Sequence, residues 1–272
     1  MRAAVVGHVE WMEFVPVEHV PATGEIVHAT DTWEDAGGGG SVASVQLQKL
    51  ADSVLFFTAL GDDDLGRRAK EELEARGIVV HASFVDAPQR RGFTYVDDGG
   101  ERTITTIGPR LEPRGNDGAL PWHELAQCDA VYFCAGDADA LRRARRAKAI
   151  VATARVLGTL ARAAVELDAL VGSGKDEAER YRAGDLDPAP RLVVTTSGAL
   201  GGWAQPGGPF AGGPTPNPVV DAYGAGDCFA AGLAFALGAD LETPDALVFA
   251  ARCGAGALGG RGVHAEAVPL SP

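Results

Sequence analysis

The chain has little cysteine, little methionine, a deficit of basic residues and no long apolar run. Four of its 272 residues are cysteines and two are methionines. The cysteines show no metal-ligand spacing and lie in apolar segments, which argues against a structural zinc site and against a disulfide framework. We therefore expect packed, reduced thiols at Cys128, Cys134, Cys228 and Cys253.

Basic residues are outnumbered, with 24 lysines and arginines against 37 aspartates and glutamates and a formal net charge of −13. This balance argues against a polyanionic partner such as nucleic acid. The basic run Arg142–Lys148 is isolated, and we interpret it as the solvated face of an alanine-rich helix. The first apolar stretch is too short for a signal peptide, and no later one reaches membrane-spanning length. We expect a cytoplasmic protein with no membrane partner.

Short apolar runs alternate with helical patterns along the chain. Such alternation is typical of a mainly parallel sheet with helices on both faces, so we predict an α/β fold in one domain, residues 1–272. The predicted strands are Ala3–Val9, Val54–Leu60, Ala130–Cys134, Ile150–Ala154, Ala169–Val171 and Leu192–Thr195. The predicted helices are Val42–Leu50, Leu65–Arg76, Ala138–Ala147, Leu157–Glu166 and Phe229–Leu237.

Two segments, 10–33 and 89–107, break this alternation. The first carries prolines and glycines among alternating residues, and the second contains the turn signal Asp97–Gly100. We expect both to form a small antiparallel lid that stands off the main sheet. Residues 205–218 are rich in glycine and proline and are predicted to be a loop.

The most informative segment is 221–229, which reads Asp-Ala-Tyr-Gly-Ala-Gly-Asp-Cys-Phe. A glycine turn before an apolar helix leaves backbone N–H groups unpaired at the positive end of the helix dipole, a ready site for an anion. Asp227 is placed where its carboxylate could accept a proton beside that anion. The plain alternative is that Asp227 only caps the helix and that the glycines serve only the turn.

Three further motifs accompany this segment. Four glycines, Gly37–Gly40, precede a predicted helix and allow a ligand to approach the backbone, because no Cβ intervenes. They are followed by Gly61-Asp62, by the loop Thr196–Gly201 after a predicted strand, and by the stretch Phe249–Gly262. The four motifs, in this order and across most of the chain, resemble those of the ribokinase-like carbohydrate kinases, also called the phosphofructokinase-B family.

That resemblance implies a three-layer α/β/α sandwich and an ATP-dependent kinase that uses Mg²⁺. It implies that Asp227 is the catalytic base and that the loop Gly224, Ala225 and Gly226 forms the anion hole. It also implies a monovalent cation near Asp221. The nucleotide is expected at Thr196, Gly198, Gly201, Gly226, Ala251 and Gly254, and the phosphate acceptor at Glu10, Gly38, Gly39, Val42 and Asp227.

The resemblance further suggests a homodimer formed through the lid. An apolar lid face made of Phe93, Tyr95 and Ile104 is too small to be stable without a partner. We therefore expect two copies of the chain to pair through these strands.

The metal motif departs from the family pattern. An Asn-x-x-Glu motif normally helps to organise Mg²⁺ and phosphates, but the corresponding stretch here lacks asparagine. Either Ser173 with Asp176 or Gly174 with Glu177 must stand in for it. Asp176 and Glu177 are therefore the candidates for indirect metal binding.

The acceptor pocket also departs from the pattern. Met12, Gly39 and Val42 stand where the family usually carries polar sugar contacts. A pocket that cannot hydrogen-bond a hydroxyl group rejects substrates that need that bond, so we expect ribose to be a poor acceptor. Glu10 is then the main candidate for anchoring a hydroxyl group, while Trp11 either lines the pocket or packs the lid against the core.

We predict an ATP-dependent phosphotransferase that acts on the hydroxymethyl group of a small sugar or sugar-like molecule. Two alternatives stay open. The less polar pocket suggests a nucleoside kinase, and the altered metal motif suggests a catalytically weak, metabolite-binding regulator on the same fold. Retention of Asp227 argues against the regulator. The sequence does not name the acceptor.

Overall fold

The structure of the protein is a computed structural model that describes residues 1–29 and 31–262. Residues 263–272, which the predicted domain includes, lie outside the described part. The strands are Arg2–Val6 (β1), Glu10–Pro16 (β2), Trp33–Gly37 (β3), Ser53–Gly61 (β4), Val79–Val85 (β5), Arg91–Val96 (β6), Arg102–Ile107 (β7), Ala130–Phe133 (β8), Ala149–Thr153 (β9), Ala169–Ser173 (β10), Val193–Thr196 (β11), Gly202–Gln205 (β12) and Gly208–Phe210 (β13). The α-helices are Gly39–Gln48 (α1), Asp64–Ala75 (α2), Ala138–Ala144 (α3), Leu157–Ala163 (α4), Ala225–Gly238 (α5) and Thr243–Ala257 (α6).

Nine strands form one sheet in the order β13-β12-β11-β10-β9-β8-β1-β4-β5. Neighbouring strands from β11 to β5 are all parallel, while β12 and β13 add an antiparallel hairpin at one edge. In a parallel sheet the carboxyl ends of all strands meet at one edge, where ligands bind. The loops that follow β1, β8, β10 and β11 therefore share that edge.

Helices cover both faces of the sheet, and β1 shows how the strands supply both cores. Ala3 and Val5 of β1 belong to the core that α1, α2, α5 and α6 cover, whereas Ala4 and Val6 belong to the core under α3 and α4. Successive side chains of a strand point to opposite faces, so a buried run without alternation serves two cores. The predicted α/β/α sandwich is confirmed.

A second sheet of four strands forms the predicted lid, in the order β3-β2-β6-β7. The pairs β2–β3 and β6–β7 are antiparallel, and the central pair β2–β6 is parallel. On its inner face, Met12, Phe14 and Val96 form a buried cluster with Val42 of α1 and with Tyr223. The lid is thus joined to the main body through apolar contacts.

The register of the lid corrects one expectation. Thr94 pairs with Ile104, so Ile104 shares a face with Thr94 and not with Phe93 and Tyr95. Side chains alternate along a strand, and the register of the β6–β7 hairpin decides which residues are neighbours. The predicted apolar face therefore divides, with Phe93 and Tyr95 in ring contact on the outer side.

Several element boundaries differ from the predictions. β5 was not predicted, because this edge strand is half-exposed and its apolar residues are interrupted by His81 and Ser83. β3 ends at Gly37, the first glycine of the block Gly37–Gly40, and β13 lies inside the stretch predicted as a loop. α4 ends at Ala163 and not at Glu166, since Ala164 adopts a left-handed conformation with φ of 51°. None of the helices in residues 1–29 and 31–262 is both long and apolar enough to cross a membrane.

Candidate active site

The glycine turn before α5 has the geometry expected of an anion site. Gly224 precedes the helix with φ of 74°, a left-handed conformation that favours glycine. Gly226 is exposed, and a Cβ built there meets no atom of the described residues within 4 Å. The N–H groups of a first helical turn have no preceding turn to bond, so they can point at a ligand that approaches over Gly226.

Asp227 follows directly, in the first turn of α5. Its Oδ1 accepts a hydrogen bond of 3.0 Å from the hydroxyl of Tyr132, a residue of β8 that is 1% exposed. Burial raises the pKa of Asp227, against the influence of Arg155 first and then of the Tyr132 hydrogen bond. The carboxyl is therefore a stronger base than an ordinary aspartate, held in one orientation by a fixed donor.

The glycine block meets Asp227 from the other side. A Cβ built on Gly39 would lie 2.8 Å from Oδ1 of Asp227, so only glycine allows α1 to begin this close to the carboxylate. Gly38 has φ of 87°, and its N–H donates to the Tyr223 hydroxyl at 2.7 Å. Two motifs far apart in the sequence are thus joined, and a molecule seated on Gly38 and Gly39 would contact Asp227.

Glu10, the predicted hydroxyl anchor, lies beside this loop and is 8% exposed. Its Oε1 is 2.7 Å from Nε of Arg90 and 3.8 Å from Nε2 of His8. Burial raises the pKa of Glu10, while Arg90 and Arg110 oppose that rise. Burial together with Arg110, Arg90 and Arg155 lowers the pKa of His8 to about 3, so His8 is neutral. The anchor is therefore already ion-paired, and its role toward a substrate stays a prediction.

Two other residues of the predicted pocket are packed in the protein interior. Val42 is 3% exposed and touches the position where Gly224 would carry a Cβ. Trp11 is 4% exposed, and the Arg68 guanidinium lies 4.4 Å from the centre of its ring. The structure thus favours the packing interpretation for Trp11.

The predicted nucleotide residues gather on the other side of the α5 turn. β11 ends at Thr196, and the tight turn that follows contains Gly198 and Gly201 with φ of 62° and 92°. Gly254 of α6 lies against α5, since its Cβ would come 3.1 Å from the Ala225 carbonyl oxygen. Ala251 lies one turn earlier in α6, where its carbonyl oxygen would be 2.4 Å from a Cβ built on Gly213. The Thr196–Gly201 loop follows a strand at the ligand-binding edge of the sheet, and α6 lies directly against the start of α5.

The predicted metal residues are exposed and engaged with neighbours. Asp176 Oδ1 accepts the Ala178 N–H at 3.0 Å, and Glu177 pairs with Arg180 at 2.9 Å. The buried carboxylate here is Glu179, which pairs with Arg155 at 2.7 Å. Residues 1–29 and 31–262 bring no three histidine, cysteine or acidic side chains together as a metal cluster. The donor chemistry suits Mg²⁺, but these contacts do not add support, and the assignment stays a prediction.

Asp221, the predicted neighbour of a monovalent cation, is 1% exposed. Its two oxygens accept the N–H groups of Tyr223 and Gly262, each at 2.8 Å. Burial raises the pKa of Asp221 and these two N–H groups oppose that rise. The observed contacts connect the turn before α5, through Asp221, to Gly262 in the segment that follows α6, and the cation stays a prediction.

Sequence reasoning missed Tyr132, Arg90, Arg110 and Arg155. Tyr132 had one usable signal, a polar tip near the carboxyl end of a predicted buried strand. The three arginines carried no such signal in the sequence. Each follows or precedes an ordinary strand, and only the tertiary structure brings it to the site.

The glycine block and the turn before α5, which meet at Asp227, together with the fold define this protein as a kinase of ribokinase-like architecture. A family model described as "pfkB family carbohydrate kinase" matches residues 2–269. The chain belongs to the pfkB family of carbohydrate kinases, which confirms both the predicted family and the predicted class of enzyme.

Individual relatives agree with this result. The chain is 30% identical to an ATP-dependent ribose-1-phosphate kinase of Halopiger xanaduensis over 97% of this chain and 94% of that protein. A microbiome-derived acarbose kinase superimposes with a TM-score of 0.81 at 23% identity, covering 98% and 95% of the two chains. A ribokinase of Arabidopsis thaliana, solved with ribose and ATP, gives a TM-score of 0.72 at 18% identity, covering 98% and 95%. The two structures confirm the predicted fold.

Proposed function

We propose that the protein transfers the γ-phosphoryl group of ATP to a hydroxymethyl group of a small sugar or sugar derivative. One observation carries the proposal. Asp227 lies between Gly39 of the glycine block, called the acceptor loop from here on, and the open N–H groups of the first turn of α5. A base at that point can reach both an acceptor hydroxyl and the phosphoryl group that the turn would hold.

In the proposed reaction, Asp227 accepts the proton of the acceptor hydroxyl as the hydroxyl oxygen attacks the γ-phosphorus, and the bond from that phosphorus to the leaving ADP breaks. The N–H groups of Ala225, Gly226 and Asp227 stabilise the charge that develops on the transferred group. Tyr132 keeps Oδ1 of Asp227 in place, because its hydroxyl donates to that oxygen and its ring is fixed in the buried strand β8.

ATP is the proposed phosphate donor for two reasons. The relative of Halopiger xanaduensis, which matches almost the whole chain, is named as ATP-dependent, and the ribokinase structure of Arabidopsis thaliana was solved with ATP. The proposed nucleotide contacts are Thr196, Gly198, Gly201, Gly226, Ala251 and Gly254. Bound Mg²⁺ would neutralise phosphate charge, and Asp176 and Glu177 are the proposed residues that would help to hold it.

The acceptor is proposed to be a sugar in preference to a nucleoside. The relative of Halopiger xanaduensis is named for ribose 1-phosphate, so this compound and free ribose belong in any acceptor panel, together with fructose, fructose phosphates, adenosine and inosine. Met12 and Val42 are buried in the lid cluster and offer no polar contact to a hydroxyl, which supports the expectation that free ribose is a poor acceptor.

The decisive test is turnover by wild type and by Asp227→Asn on this panel, measured as ADP formed and as phosphorylated product by mass spectrometry. We expect the variant to lose about 10²- to 10⁴-fold in kcat, the usual cost of removing a general base. Its affinity for ATP, measured by calorimetry, should stay nearly unchanged. Near-full turnover by Asp227→Asn on a verified acceptor would contradict the assignment of the base. Absence of any turnover by wild type on the whole panel would instead favour the regulator.

A further inference from the structure

Beside the acceptor loop, the structure contains a recess of about 450 Å³ lined by Arg110, Glu112, Arg114, Asn116 and Asp137. We infer that this recess binds a phosphate group that the acceptor itself carries, and that Arg110 is the residue that recognises it. The inference rests on the proposed function, because it assigns the acceptor of that same site to the sugar phosphates.

The recess lies next to the catalytic centre. β1 and β8 are neighbours in the sheet, and beyond their ends the Cys134 N–H donates to the Val6 carbonyl at 2.9 Å. His8 follows β1, and Asp137 follows β8 and lines the recess. Arg110 is near enough to both His8 and Glu10 to influence the pKa of each. One molecule can therefore reach from the glycine loop into the recess.

Arg110 differs from the other arginines of the site in lacking a close partner. Arg90 is 2.7 Å from Glu10 and Arg155 is 2.7 Å from Glu179. Arg110 is 4.0 Å from Glu112, at the outer limit of an ion pair. Its Nε is buried without a hydrogen-bond partner among the described residues, as is the Nε of Arg90, although the latter lies close to Glu10. A buried guanidinium nitrogen without a partner is costly, and a phosphate accepts from two such nitrogens at once.

The recess also contains two acidic residues, and one of them is engaged by backbone N–H groups. Asp137 Oδ1 already accepts the N–H groups of Gly115 and Ala140, at 2.9 and 2.8 Å. Glu112 is half-buried, and burial raises the pKa of its carboxyl, which disfavours its charge, while Arg110 opposes that rise. Arg114 adds a second cation at the exposed rim. The recess thus holds two guanidinium groups and two carboxyl groups, with Asp137 engaged by backbone N–H groups and Glu112 4.0 Å from Arg110.

A phosphate bound in this recess would also compensate for the apolar residues at the acceptor site. With Met12 and Val42 buried in packing, few hydroxyl contacts remain to orient a sugar. A charged anchor at the far end of the molecule would orient it instead, with its free hydroxymethyl group at Asp227. Binding energy from such a remote group can be used at the reacting centre.

The test compares a pentose 1-phosphate with the matching free pentose, using wild type, Arg110→Gln and the control Arg146→Gln. Arg146 is exposed and lines a neighbouring groove, so the control removes the same charge outside the recess. In wild type we expect kcat/KM for the phosphorylated acceptor to exceed that for the free pentose by at least about 10-fold. In Arg110→Gln, kcat/KM for the phosphorylated acceptor should fall about 10- to 100-fold, mostly through KM. Activity on the free pentose should fall less than activity on the phosphorylated acceptor, although Arg110 also influences the pKa of Asp227 and of Glu10. The KM of ATP should change less than about twofold, and Arg146→Gln should match wild type.

Arg110→Lys keeps the charge but loses the paired donors, so it should recover only part of the affinity. Circular dichroism and the KM of ATP show whether each variant is folded. A free pentose preferred over its phosphate, or an equal loss on both acceptors in Arg110→Gln, would overturn the inference.

Calorimetry with the pentose 1-phosphate separates this inference from the proposed function. Binding by wild type that weakens about 10-fold or more in Arg110→Gln supports the anion site even if no acceptor is phosphorylated. Failure of wild type to bind the sugar phosphate contradicts the anion site, even if a neutral sugar is turned over.

Discussion

Tyr132→Phe isolates a single hydrogen bond at the proposed base. The substitution removes only the hydroxyl that donates to Asp227 Oδ1 at 3.0 Å and keeps the ring that is packed in β8. Because Tyr132 is 1% exposed, water does not readily replace the lost donor at that position. Asp227 should then hold its charge less well and turn more freely.

The direction of the effect on pH follows from this bond. The Tyr132 hydroxyl stabilises the charged form of Asp227 and so opposes the pKa rise that burial causes. Its removal should raise the pKa of Asp227 further, so the acid limb of kcat/KM should move to higher pH. Catalysis needs the deprotonated carboxylate, so the loss is largest at low pH and shrinks as pH rises.

The size of the effect follows from the energy of a hydrogen bond to a charged group, about 1.5–3 kcal/mol. Below the acid limb this corresponds to a loss of about 10- to 150-fold in kcat/KM. The higher pKa makes Asp227 a stronger base, which offsets part of the loss once the carboxyl is deprotonated. We expect the variant to approach wild-type activity at alkaline pH.

The assay is the pH profile of kcat/KM at saturating ATP, with Tyr181→Phe as the matched control. Tyr181 packs beside the core on the opposite face of the sheet, under α3 and α4. An acid limb that stays in place, or that moves to lower pH, would refute the proposed role of Tyr132. A uniform loss at every pH would point to misplacement of Asp227 without a change in its proton affinity.

Two further predictions address the nucleotide side and the lid. Gly226→Val should leave the melting temperature nearly unchanged, because a Cβ there meets no described atom within 4 Å. It should weaken ATP binding on the order of 10-fold, because the added side chain crowds the N–H groups. Calorimetry showing wild-type affinity for ATP would count against the anion hole. The lid is proposed to mediate a homodimer through its outer face, so light scattering at micromolar concentration should show a dimer that Phe93→Asp dissociates, whereas a wild-type monomer would remove this proposal.

The local motifs alone were enough to predict the family and the layout of the fold. Apolar runs of strand length between helical patterns indicate a parallel sheet, because each strand must be buried on both faces. The segment 221–229 predicted the anion site and its aspartate, because glycine turns and helix starts depend on neighbours in the chain. The structure places Asp227 in the first turn of α5, as that reasoning expected.

The half-exposed and short elements could not be predicted with the same success. β5 is half-exposed and interrupted by His81 and Ser83, and β13 has three residues, too few to show a period. The face that Ile104 occupies depends on its pairing with Thr94, and a register change of one residue would have moved it to the other side.

Contacts between distant segments were decided only by the tertiary structure. Tyr132 and Asp227 are 95 positions apart, and they meet because β8 ends next to the start of α5. Glu10 and Arg90 meet because β2 and the segment before β6 enter the lid side by side. Arg110 lines the recess because the chain leaves the lid at that point. A pattern with a period of two or 3.6 residues carries information about neighbours in the chain, whereas ion pairing and orphaned donors depend on which segments the fold brings together.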